Sequence, residues 1–153
     1  MFGTFSYYSS VFYRGFAAYT TRQLQALGLN FGSLFLVLYV GKHPGCSPSQ
    51  LTRTLGLDWG HSQRSIAKLV EDGFMTKEKS GRAYRLELSE KGQQAFSVSH
   101  QVFFDWDKQV LAPLTQEERQ QLLALLAKAA QRHEKELLCT NTSTAPSTTA
   151  ESL

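Results

Sequence analysis

Cysteine is scarce in this sequence, and acid is missing from its first third. Only Cys46 and Cys139 occur in 153 residues, too few for a disulfide framework and too far apart to suggest a chelating pair. A reducing compartment, the cytoplasm, is the expected setting. No apolar run reaches the roughly 20 residues that span a bilayer. The apolar start MFGTFSYYSSVFYRGF lacks a basic beginning and contains Arg14, so neither a signal peptide nor a membrane partner is expected. Catalytic signatures are missing as well: there is no Gly-rich phosphate loop, no H-E-x-x-H and no G-x-S-x-G. Asp105 and Asp107, two apart on a predicted helix, do not face each other. His43 and Cys46 have a His-x-x-Cys spacing but no second pair to complete a zinc site. We expect no enzyme, no cofactor and no metal.

What is present suits a single domain, 42% hydrophobic, with one core of ordinary size. The formal charge is only +3, but it is unevenly placed, because no acid precedes Asp58. Residues 47–85 hold seven Lys or Arg against four acids. A locally basic module suits a polyanion partner.

Residues 5–27 carry Phe5, Tyr8, Phe12, Phe16 and Tyr19 at steps of three and four, one helical stripe, and Tyr7 and Val11 extend it to a second face. A helix aromatic on two sides usually has two packing partners, so a second subunit is expected. FGSLFLVLYVGKHPG, from Phe31, predicts a central helix that Pro44 and Gly45 end. Then Ser47 reads as an N-cap, with Pro48 at the first helical position and Gln50 closing a capping box. Gly56 stops that helix, and Asp58 caps the next. Two short helices joined by a tight turn make a helix-turn-helix candidate.

FMTKEK and RAYRLELS then flank Ser80 and Gly81, which predicts a hairpin. With those two residues in the turn, Lys79 would face Arg82, Lys77 would face Tyr84 and Met75 would face Leu86. Like charges would then meet at the tip, a place for an anion. A long helix from Ser89 to about residue 111 carries Phe96, His100, Phe103, Phe104 and Val110. A last helix starts at a Thr115 and Glu118 capping box, with the stripe Leu122, Leu126, Ala129, His133 and Leu137. Residues 139–153 are expected to be disordered.

On a wheel, LDWGHSQRSIAKLVEDG (57–73) buries Ser62, Ile66, Leu69 and Val70 and exposes His61, Arg64, Ser65 and Lys68. A groove-reading helix needs such donors on one face, since arginine bonds guanine through two hydrogen bonds and Ser or His reaches base edges or phosphates. A solvated surface is the plain alternative. The context of capped helix, turn, helix and basic-tipped hairpin favours a winged helix-turn-helix, whose hairpin tip reaches the minor groove.

Here the sequence resembles the MarR family of bacterial transcription regulators. QRSIAKLVEDG is similar to the family's pattern at Arg64, Leu69 and Gly73, and SGRAYRLELSEKG at Arg82, Leu88 and Gly92, with Ser89 for Thr. Ser80 stands where the family has a wing Asp, which leaves the orientation of Arg82 open. The resemblance covers about residues 5–138. It implies a mainly α fold with a small β-hairpin wing, in which 5–30 and 89–138 form a helical dimerisation region and 31–88 the DNA-binding region. It also implies a homodimer on a pseudo-palindromic operator, acting as a repressor that a small aromatic ligand releases. Tyr13, Arg14, Phe31 and Phe35 are the pocket residues it suggests.

The expected contacts with double-stranded DNA are Ser47, Ser49, Arg53, His61, Ser62, Gln63, Arg64, Ser65, Lys68, Lys79 and Arg82; Ser62 is included although the wheel turns it inward. Trp59 has two readings, packing on the preceding helix, which we favour, or contact with the sugar-phosphate backbone. Two rivals stand beside DNA reading: a winged helix that binds proteins only, and a regulator sensing oxidant or metal through Cys46, His100 or His133.

Overall fold

The computed structural model describes residues 3–142, with side chains described for 3–134. Helix α1 (Phe5–Leu24) starts where the Thr4 hydroxyl accepts the Tyr7 amide and runs into a short 3-10 turn. Helix α2 (Phe31–Lys42), capped by Asn30, buries Leu34, Leu36, Val37 and Val40. Apolar on nearly every side, it is central as expected, because each face has a neighbour to cover it. Helix α3 (Pro48–Thr54) has the full capping box of Ser47 and Gln50, and α4 (Trp59–Glu71) is capped by Asp58.

Strands β1 (Met75–Ser80) and β2 (Ala83–Leu88) form the antiparallel hairpin. Its register differs from the expected one. Gly81 and Arg82 make the turn, so that Ser80 pairs with Ala83, Lys79 with Tyr84, Lys77 with Leu86 and Met75 with Leu88. Gly81 has φ 63°, and a two-residue hairpin turn of this kind places glycine at its first central position. The expected meeting of Lys79 and Arg82 therefore does not form. On the far edge of β2, Leu86 exchanges both backbone hydrogen bonds with its neighbours before α3: its amide donates to the Cys46 carbonyl at 2.8 Å and its carbonyl accepts from Gly45 at 2.8 Å.

Helix α5 (Glu90–Val110) begins at Ser89, whose hydroxyl accepts the Gly92 amide and donates to the Gly73 carbonyl. A Cβ at Gly92 would collide with the Phe74 carbonyl and touch the Leu88 side chain. Only glycine lets α5 start this close to the strand. Helix α6 (Gln116–Thr142) opens with the expected reciprocal bonds of Thr115 and Glu118. It includes residues 139–142, which were expected to be disordered; the rest of that segment, 143–153, lies outside the described residues. One core gathers Leu24, Leu34, Val40, Leu51, Ile66, Leu86 and Ala95 from six of these elements, and Phe74 from the turn before β1. Among the described residues no single helix is long and apolar enough to cross a membrane.

Candidate nucleic-acid interface

The two short helices are fixed to each other by buried hydroxyls. The Thr52 hydroxyl donates to the Pro48 carbonyl at 2.7 Å and lies 2.6 Å from the Ser62 hydroxyl. Thr52 has only one hydroxyl proton, so Ser62 donates to Thr52. This corrects the place of Ser62 among the DNA contacts: it is fully buried, and its bonding capacity is spent on holding α4 against α3.

With Ile66 and Leu69 also buried, α4 turns the opposite side outward. His61 and Arg64 are exposed there, and Ser65 is half-buried beside them. Gln63 is half-buried, with an amide nitrogen that is shielded and has no partner among the described residues. Lys68 is exposed but not free, because its ammonium donates to Asp72 at 2.9 Å and lies 4.0 Å from Glu71. The hydrogen bond to Asp72, reinforced by the charges of Asp72 and Glu71, holds its pKa above the ordinary lysine value. Lys68 is thus a weaker candidate than its wheel position suggested.

Gly60 explains itself through Arg64. A Cβ there would sit 3.2 Å from the guanidinium and 3.4 Å from the Asp58 carboxylate. The Arg64 side chain lies back over the first turn, which delivers its charge to the N-terminal end of α4. Ser49 and Arg53 are exposed on α3 and Lys79 and Arg82 on the hairpin, while the Ser47 hydroxyl is occupied in its cap. Among the described residues Arg53, Arg64, Lys79 and Arg82 make no ion pair. Four unneutralised cations on one helix-turn-helix and its hairpin can bind a polyanion.

Lys77 is occupied in another way, with its ammonium 4.6 Å over the Tyr84 ring. Trp59 is 53% exposed, so packing on the preceding helix covers it only in part. It borders an open cleft of about 540 Å³ with Ser49, Thr52, Arg53 and Asp58.

A separate cavity of about 350 Å³ lies between α2 and α5, closed at one side by Leu55. Of the four suggested pocket residues only Phe35 lines it. Phe31 stacks edge-on with Tyr13, Phe16 and Phe35 in an aromatic cluster, and Arg14 is exposed. The walls are instead Leu38, Tyr39 and Lys42 of α2, His43, and His100, Phe103 and Phe104 of α5. The signal for them was present: 35, 38, 39 and 42 share one helical stripe, as do 100, 103 and 104.

Cys46 is buried beside Leu86, and desolvation pushes its thiol above the ordinary value. Reactive cysteines need the opposite environment. Among the described residues no three His, Cys, Asp or Glu side chains converge as metal ligands do.

A helix-turn-helix with a two-stranded wing, framed by long first and last helices, defines a winged helix-turn-helix protein. No family model matches the chain. It is 39% identical over 137 residues to the HTH-type transcriptional regulator BilQ of Clostridium symbiosum (strain WAL-14163), an alignment covering 88% of this chain and 95% of that protein. Its fold is similar to a MarR family transcriptional regulator from Listeria monocytogenes complexed with 26mer DNA, with TM-score 0.80, 19% identity and coverage of 95% and 99% of the two chains. It is also similar to a MarR family protein of Mycobacterium tuberculosis in complex with salicylic acid, with TM-score 0.66, 21% identity and coverage of 84% and 97%. The chain belongs to the MarR family of transcriptional regulators, and is not an enzyme.

Proposed function

We propose that the protein is a homodimeric repressor that places α4 of each subunit in a major groove and the Arg82 tip in the adjoining minor groove. The observation that carries this reading is the set of unpaired cations on α3, α4 and the hairpin, with Arg64 drawn to the N-terminal end of α4. Helices of this type insert that end. His61, Arg64 and Ser65 would meet base edges, while Ser49, Arg53 and Lys79 would meet phosphates. Two-fold symmetry then asks for a pseudo-palindromic operator with half-sites about one helical turn apart.

Support for the dimer comes from α1, α5 and α6. Phe5, Tyr8 and Phe12 of α1 line an apolar groove of about 550 Å³ with Trp106, Val110 and Leu126. Phe5 is 69% exposed, a large apolar cost for a lone chain in water. The same face on a second subunit would cover it.

The cavity between α2 and α5 supports release by a small aromatic acid. Aromatic walls suit a planar ring, and Lys42 at the rim suits a carboxylate. A related fold holds salicylic acid. Such a ligand works only through its different affinity for the DNA-competent and DNA-incompetent arrangements. The test is a gel-shift or anisotropy titration with genomic DNA that the purified protein selects, repeated with salicylate. Binding that ignores Arg64→Ala and Arg82→Ala would overturn the reading.

A further inference from the structure

Trp59 is the first residue of α4 and is more exposed than large aromatics usually are in a folded chain. A helical side chain points toward the N-terminus of its own helix, so the indole at this position projects past the start of α4 into the cleft beside α3. Ser49 and Arg53 border the same cleft. Among the described residues nothing stacks on the ring, and its N–H has no hydrogen-bond partner. The acid nearby, Asp58, is engaged: its carboxylate accepts the His61 amide at 2.9 Å. The cleft therefore offers a cation, a hydroxyl, an apolar plate and an indole donor.

We propose that Trp59 is a DNA-backbone contact whose indole covers a deoxyribose while Arg53 and Ser49 take the adjoining phosphate. This rests on the DNA-binding reading above. A phosphate suits the arginine and the hydroxyl, and the apolar face of the sugar suits the ring. The contact fixes the register of α4 on the duplex and carries no base preference, which separates it from the task of Arg64.

The experiment titrates mixed-sequence duplexes, each about three helical turns long to span two half-sites, into the wild type, Trp59→Phe and Trp59→Ala, following anisotropy of labelled DNA and tryptophan emission. Trp59→Phe keeps an aromatic plate and should bind nearly as the wild type does, but without the emission change that DNA causes in the wild type. Trp59→Ala should lose about tenfold in affinity on every duplex, with an unchanged salt slope, since no charge is removed. Circular dichroism of both variants identifies any loss of folding. Wild-type binding with equal emission changes in the wild type and Trp59→Phe would overturn the contact while leaving the DNA reading intact. A loss confined to duplexes with one particular base would overturn its assignment to the backbone. Absence of wild-type binding to any duplex would overturn the DNA reading, and this contact with it.

Discussion

Among the described residues Arg64 has no carboxylate partner, and its guanidinium lies over a residue that lacks a side chain. Arg64→Ala should weaken operator binding by about 1–3 kcal/mol and relax the preference at one base position, read by competition among single-base operator variants. Gly60→Ala should gain up to about 1 kcal/mol in helix propensity yet shift the guanidinium, so that thermal stability rises while operator affinity falls. Ser62→Ala should behave in the reverse manner, costing about 1 kcal/mol of stability in chemical denaturation with little change in base preference. Cys46 carries a pH prediction. Its folded thiol titrates above the ordinary value because it is buried, so its neutral form contributes stability that is complete below the unfolded value and is lost as pH rises through the raised one. With Cys139 replaced by serine, thiol labelling of Cys46 in the folded protein should stay slow at neutral pH and accelerate only at pH above the ordinary thiol range, and peroxide should leave DNA binding unchanged. Rapid neutral labelling would contradict this.

Among the elements, the caps were legible and the wing register was not. Ser47 with Gln50, Asp58, Ser89 and Thr115 with Glu118 are local signals, since each side chain bonds an amide within three residues. The hairpin had two candidate turns that share Gly81, and they differ in which turn position the glycine occupies. The choice is also tied to Leu86, which bonds Cys46 and Gly45 some 40 residues earlier, and no local pattern contains such a partner. Ser62 could be seen as inward on the wheel, but its bond to Thr52 requires knowing how α3 crosses α4. The wing now presents Arg82 alone in the turn. Arg82→Ala should lower the salt slope of DNA binding by about one while weakening all sequences alike. At the other end of the hairpin, Gly92→Ala should cost about 3 kcal/mol, because the added methyl meets the Phe74 backbone rather than a movable side chain. A denaturation midpoint close to that of the wild type would contradict the close approach of α5.

At the scale of the whole molecule, the basic face and the apolar groove lie on different parts of one chain, and the cavity lies between α2 and α5. The proposed function uses that division, with one face for DNA, one for a second subunit, and a space whose filling would alter their relation. The aromatic stripe of α1 was readable at helical spacing, whereas the cavity was not, because its walls come mainly from α2 and α5, which α3, α4 and the hairpin separate in sequence. Sedimentation should find a dimer for the wild type and a weaker one for Phe12→Glu, which places a charge in the groove. The measurement that tests the central claim most directly is an anisotropy titration of the wild type and Arg64→Ala with DNA selected from genomic fragments, at two salt concentrations. The account predicts wild-type binding that weakens steeply with salt and a loss for Arg64→Ala that is largest on the selected sequence. Wild-type binding that is absent, or equal for the two proteins on every sequence, would contradict it.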